Sequence, residues 1–288
     1  MKNVFELLIT TPLGYILRFI FDIVGNNYGI AIIIFTLIVK LCMLPLFVKQ
    51  QKSTAEMAKL KPELDKINKK YANNKSQEAQ QKMNQETMKL YQEHGVNPMG
   101  GCLPLLIQFP IIIGLYQVIT RPMQYLMMLS TETIEKVSNF LLSNKLITEK
   151  VAQFALKQNQ IEVAREALKH IDLIKEKIGV TLLNINFDFF GMDLSLKPTF
   201  SKMDVLWIIP ILSAATAYLS NMIMQKLSGN PQQNQQMASM NVIMPLMSGY
   251  FCFIMPTGVG IYWIMSNVVQ ILQQIIISKI MQRKQKTV

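Results

Sequence analysis

The sequence predicts an all-α polytopic membrane protein: five transmembrane helices, a cytoplasmic helical hairpin after the first of them, and an N-terminal interfacial helix. Three observations carry that fold class. Half of the 288 residues are hydrophobic and only 16% are charged, a balance that few soluble domains show. The apolar residues gather in five runs, each near the ~20 residues that cross a ~30 Å hydrocarbon core at 1.5 Å per residue. None of the five contains an Asp or a Glu.

Residues 1–27 are apolar but carry Glu6, Arg18 and Asp22, with Pro12 and Gly14 interrupting them. Such a stretch suits an amphipathic helix lying in the interface better than a span, and Arg18 and Asp22 stand one turn apart, placed to pair. The weak basic start and the lack of a small-residue cleavage site argue against a cleavable signal peptide. Residues 28–48 form the first span. Lys40 is its only charge, about 12 Å from the end of the run and so close to mid-bilayer. A lysine there costs ~2.5–3.5 kcal/mol; it either snorkels from an ordinary anchor or faces a hydrated cavity inside the protein.

Residues 49–96 hold ten lysines against six acidic residues. Met57, Leu60, Leu64, Ile67 and Tyr71 recur at helical spacing, and after a break at Asn73–Ser76 so do Met83, Thr87, Leu90 and Tyr91. Two antiparallel amphipathic helices follow from this, with Pro62 starting or kinking one and Gly95 ending the other. Asn97-Pro98 then caps the second span, 97–120, in which Pro104 and Pro110 predict bends and Gln108 lies midway. Residues 121–204 are nearly balanced in charge, helical in period to Gly179, and irregular and aromatic-rich from Thr181. Three spans complete the chain at 205–225, 240–256 and 257–280, with a Gly/Asn/Pro/Gln connector at 226–239 and a basic tail at 281–288.

Sidedness follows from charge. The lysine-rich hairpin and the basic tail belong in the cytoplasm, and 121–204 is too long for its charges to count. The N-terminus is then outside, and Trp207 and Trp263 fall near the outer interface, where an aromatic belt belongs. In that frame Thr36, Lys40, Gln108, Asn221, Asn267 and Gln270 gather from mid-bilayer towards the cytoplasm. Asn267, Gln270 and Gln274 share one helix face. Interhelical hydrogen bonding accounts for any one of them; together with Lys40 they describe a cavity open inward and sealed outward.

Function classes narrow accordingly. Coupled transporters usually carry an intramembrane carboxylate, absent here, and no inverted repeat is visible. No phosphate-binding loop, zinc-protease motif or Ser/His/Asp arrangement occurs, so neither enzyme nor cofactor is expected. The net charge of +11 suits anionic headgroups, without any nucleic-acid motif. Cys42, Cys102 and Cys252 lie in apolar runs and read as small buried hydrophobes. A half-channel with one fixed positive charge suits a transient guest, polar at one end and apolar along its length. The twenty methionines suit a surface that accepts many apolar sequences. A small-solute or ion transporter and a structural partner in a larger membrane complex are the alternatives.

Three stretches, NYGIAIIIFTLIVKLCMLPLFVKQQKS, GVNPMGGCLPLLIQFPIIIGLY and IMPTGVGIYWIMSNVVQILQQ, resemble in content, order and spacing the signature blocks of the YidC family of membrane protein insertases in its five-span bacterial form. The resemblance implies an insertase and chaperone of the bacterial cell membrane, acting alone or beside the Sec translocon through a hydrophilic groove open to cytoplasm and lipid. It implies nascent membrane proteins, the ribosome and a targeting receptor as partners. The family's groove charge is usually arginine; Lys40 keeps the charge without the guanidinium fork. Gln108, Asn267 and Gln270 would keep the groove wet, and Tyr262 and Trp263 would close or line its outer end. Two departures stand out: no lipoprotein-type signal precedes the first span, and 121–204 is longer than the compact form leads one to expect.

Overall fold

The structure, a computed structural model, describes residues 4–74, 76–96, 103–201, 203–227 and 235–286, of which 103–107, 227, 235–241, 282 and 284–286 are described by backbone alone. The chain opens with a π-helical turn, Glu6–Thr10, running into α1, Thr11–Ile23. Leu17, Ile20 and Phe21, spaced three and four apart, are buried against the rest of the protein, while Tyr15, Phe19 and Ile23 are exposed. Apolar on both faces, α1 fits contact with protein on one side and lipid on the other. The pair expected from spacing forms, with Arg18 Nε 2.9 Å from Asp22, and Arg18 also donates to the carbonyl of Leu126. Glu6 accepts from Gln124 Nε2 at 2.9 Å and from the Tyr125 hydroxyl at 2.8 Å, tying this end to the segment after the second apolar run.

Gly25 and Asn26, both left-handed (φ +68° and +66°), reverse the chain. Asn27 then caps α2, Tyr28–Cys42, accepting from Ile30 N at 3.0 Å. The first apolar run is not one continuous helix. Its axis bends by 57° between α2 and α3, Leu44–Lys59. Pro45 explains the break: it has no N–H to continue the ladder and sits in the first turn of α3, where none is needed. Lys40 therefore lies in the last turn of α2, beside a bend, rather than midway along a straight span. Cys42 at that end is exposed, with neighbouring Leu41, so the reading of it as buried is corrected; Cys252 is buried, and Cys102 lies outside the described residues.

α4, Lys61–Tyr71, starts with Pro62 in its first turn and lies antiparallel to α5, Gln77–Glu93. Lys70 and the Tyr71 hydroxyl both reach Glu86, at 2.6 and 2.9 Å. Leu60, Ala79, Leu90 and Tyr91 are the buried side chains of this unit. α6, Leu103–Thr120, runs through Pro110 as one helix, with Pro104 in its first described turn. The Asn97-Pro98 cap lies outside the described residues.

The polar segment folds into a small helical body: α7 (Pro122–Tyr125), α8 (Thr131–Ser143), α9 (Glu149–Lys157), α10 (Ile161–Lys169) and α11 (Ile171–Ile178). Side-chain oxygens of Ser130 and Thr148 cap α8 and α9. A two-residue hairpin of β1 (Asp188–Phe189) and β2 (Met192–Asp193) follows within the irregular aromatic stretch. That stretch closes the starts of two apolar helices, α2 and the one beginning at Thr257. The Asn186 carbonyl accepts from Tyr28 N at 3.0 Å, and the carbonyls of Leu194 and Leu196 accept from Gly258 N and Thr257 N at 3.0 and 2.9 Å. Orphan N–H groups at helix starts need such partners.

α12, Ile208–Leu227, follows one 3-10 turn. α13 is Gln235–Ile254 and α14 Thr257–Lys286. The expected connector 226–239 and tail 281–288 are thus partly helical, since the flanking Gln, Met, Lys and Arg are good helix formers. Val205–Lys226 and Thr257–Met281 are long and apolar enough to cross a membrane, and the bent pair α2–α3 adds a third; Gln108–Thr120 and Val242–Ile254 are shorter apolar helices.

Candidate functional site

α14 is the wall on which polar side chains of the apolar helices meet. Its residues Tyr262, Ser266, Val269 and Gln273, at intervals of four, three and four, form one stripe. At one end of the stripe Tyr262, buried, accepts a hydrogen bond from Gln108 Nε2 of α6 at 3.2 Å. At the other, buried Gln273 donates from Nε2 to the backbone carbonyl of Lys40 at 3.1 Å. Two of the residues singled out from sequence, Gln108 and Tyr262, are therefore in contact. Gln273 was missed, because the shared face was drawn through its neighbour Gln274, about 100° around the helix.

Lys40 is 8% exposed. Among the described residues no carboxylate pairs with its ammonium. Thr36, one turn before it, is wholly buried and turns its hydroxyl back to the Ile32 carbonyl at 2.7 Å. Its hydroxyl is thus committed to its own helix.

A second polar seam runs between α14 and α12. Asn267 Nδ2 donates to Thr216 Oγ1 at 3.1 Å. Gln274, fully buried, donates to the Met224 sulfur at 3.2 Å, while its carbonyl oxygen has no partner among the described residues. The face shared by Asn267, Gln270 and Gln274 therefore turns towards α12, not towards Lys40. Gln270 and Asn221 are half-buried. Ser213 of α12 and Ser248 of α13 bond at 2.7 Å in a buried pair. Trp263 stacks on Phe251 of α13 with ring centres 6.2 Å apart, and Trp207 donates to the Thr199 carbonyl at 2.9 Å beside Phe200 and Phe253.

Close approach of the helices depends on Gly260, where a Cβ would collide with Ile209 of the 3-10/α12 segment. Among the described residues no group of His, Cys, Asp and Glu could hold a metal ion. Among the described residues the arrangement offers the Lys40 cation, amide side chains and helix-bound hydroxyls, a set that binds and orients.

The chain matches the family described as 60Kd inner membrane protein over residues 19–285. It is 32% identical over 266 residues to the membrane protein insertase MisCA of Bacillus subtilis, covering 92% of this chain and 76% of that one. It is 32% identical over 254 residues to the membrane protein insertase YidC of Fusobacterium nucleatum, covering 88% and 87%. A crystal structure of an active YidC insertase with its first transmembrane domain resolved superposes with a TM-score of 0.52 at 24% identity, over 94% of this chain and 46% of that longer one. That likeness is one of fold.

Proposed function

The chain belongs to the 60Kd inner membrane protein family, and from that membership we infer that it is a membrane protein insertase of the bacterial cell membrane, not an enzyme. The single observation that carries the reading of the site is Lys40, buried among apolar helices with no carboxylate at ion-pair distance among the described residues. Retaining it costs ~2.5–3.5 kcal/mol, a cost that use by a passing anionic group would justify. On this reading α2–α3, α6, α12, α13 and α14 are the five spans, and α4–α5 and the end of α14 face the cytoplasm. The body at 121–204 and the N-terminus lie outside, with α1 in the interface.

Lys40 would attract acidic residues in the translocated part of a substrate. Gln108 and Gln273 would keep its path wet, Gln270 would line the neighbouring seam against α12, and Tyr262 and Trp263 would bound that path towards the outside. The α4–α5 pair would meet the ribosome, a targeting receptor or the Sec translocon. Purified full-length protein in proteoliposomes should raise insertion of a short single-span test protein well above that into empty vesicles. Equal insertion with and without it would overturn the reading.

A further inference from the structure

A cavity of about 500 Å³ lies between α9, α10 and the chain at 195–197, with Pro256 of the α13–α14 turn on its edge. That volume is in the range of small-molecule sites. Lys150, Arg165 and Lys197 line it against a single acid, Glu162. Among the described residues none of the three cations has a carboxylate at ion-pair distance. Arg165 Nε is enclosed and has no acceptor among the described residues. A guanidinium N–H removed from water without an acceptor is costly, and three unpaired cations around one space repel each other. That repulsion is relieved when an oxyanion enters.

The walls are fixed to the membrane helices. Gln160 N donates to the Thr120 carbonyl at the end of α6 at 2.7 Å, and Gln160 Oε1 accepts from Gln124 N at 3.0 Å. Leu196 accepts from both the backbone and the hydroxyl of Thr257 at the start of α14. The cavity thus straddles the ends of two apolar helices; resting on the span assignment proposed above, it lies at the depth of phospholipid headgroups. Phe154, 47% exposed on its wall, adds an apolar shoulder suited to the acyl side of a lipid. Cations placed by rigid elements beside apolar surface match a phosphate diester carrying a hydrocarbon tail.

We propose that this cavity, lined by Lys150, Arg165 and Lys197 at the α13–α14 turn, binds the phosphate of one anionic phospholipid.

Native mass spectrometry of the full chain in detergent, with added phosphatidylglycerol, phosphatidylcholine or inorganic phosphate, tests it. The wild type should retain one more phosphatidylglycerol than Arg165→Gln or the exposed pair Lys150→Gln/Lys197→Gln, with about tenfold weaker retention in the variants. The equally charge-reducing pair Lys136→Gln/Lys145→Gln, outside the cavity, should behave as wild type. The lysine pair decides the matter if Arg165→Gln fails to fold. Equal retention in cavity and control variants would overturn the proposal. So would equal retention of phosphatidylcholine, inorganic phosphate bound where lipid is not, or an acidic peptide held in place of lipid.

Discussion

Gln273 donates to the backbone carbonyl of Lys40, 233 residues earlier in the chain, at 3.1 Å. That carbonyl is one of the last four of α2, which have no donor within their own helix, and it lies beside the 57° bend. The amide of α14 thus completes a broken helix end and leaves the Lys40 side chain free of that duty. Position 40 is held by its backbone, so its side chain can be changed with little disturbance of the fold.

Charge at position 40 should therefore control activity separately from folding. With a substrate whose translocated tail is acidic, Lys40→Arg should retain insertion and Lys40→Glu should lower it about tenfold, equivalent to ~1.4 kcal/mol. Lys40→Ala should fall between, and all should converge as the tail is made neutral. Insertion efficiency across a stepped series of tail charges measures this. Equal efficiency in the lysine and glutamate backgrounds would remove Lys40 from the mechanism.

Cysteine labelling distinguishes the half-buried groups from the sealed ones. With the native cysteines replaced by alanine, Gln108→Cys and Gln270→Cys should react with a membrane-impermeant thiol reagent supplied from the cytoplasmic side and resist it from the other. Thr36→Cys, at a fully buried position, should react far more slowly. Labelling only from outside would reverse the orientation of the groove.

The buried side chains of the α4–α5 unit, Leu60, Ala79, Leu90 and Tyr91, stand outside the main buried cluster, and Lys70–Glu86, Lys82–Glu78 and Lys89–Glu93 pair within it. Replacing residues 54–93 with a short linker should leave the membrane helices folded and the protein accumulating normally, while insertion falls. Loss of the protein itself would make the unit structural.

Gly260 sets the spacing of α14 against Ile209. Gly260→Val should destabilise the bundle by about 1–3 kcal/mol, since overpacking must displace a helix or an off-rotamer side chain. Thermal unfolding of the purified variant reads it. An unchanged midpoint would show that the contact can relax.

In the body at 121–204, the Lys169 hydrogen bond, with His170 close by, holds the Glu166 carboxyl below the usual carboxylate range. The unfolded chain then takes up the proton first on acidification. The pair's contribution is complete above about pH 4.3, the ordinary glutamate value, and is lost as pH falls through the lowered folded-state value. Glu166→Gln should flatten that part of the thermal stability profile, by no more than ~1 kcal/mol.

The features legible in the sequence were those set by local spacing. Arg18 and Asp22 pair because four residues make a turn, and Pro62 opens a helix because its missing N–H costs nothing there. Lys40 was conspicuous as the lone charge in an apolar run, and its burial follows. What escaped were choices made in three dimensions. Pro45 was visible, yet run length alone argued for an unbroken span, and the bend needed Gln273 to complete it. Gln273 and Gln274 are adjacent letters on different helix faces, and only the positions of α2 and α12 decide which face meets Lys40. The docking of Gln160 on Thr120 uses backbone groups that every residue carries, so no residue type announces it.

The capping of α2 by residue 186 has a consequence for how the protein is made. The N–H of Tyr28 and the carbonyl of Asn26 wait for a partner that the ribosome adds much later. At ~5–20 residues per second that delay is roughly ten to thirty seconds. Through it the first apolar helix must persist with one end unfinished, exposed to proteases and to pairing with the wrong segment. Maturation of this chain therefore ends with a late stitch between its earliest and its middle portions, and truncated chains stopping short of residue 186 should be cleared soonest.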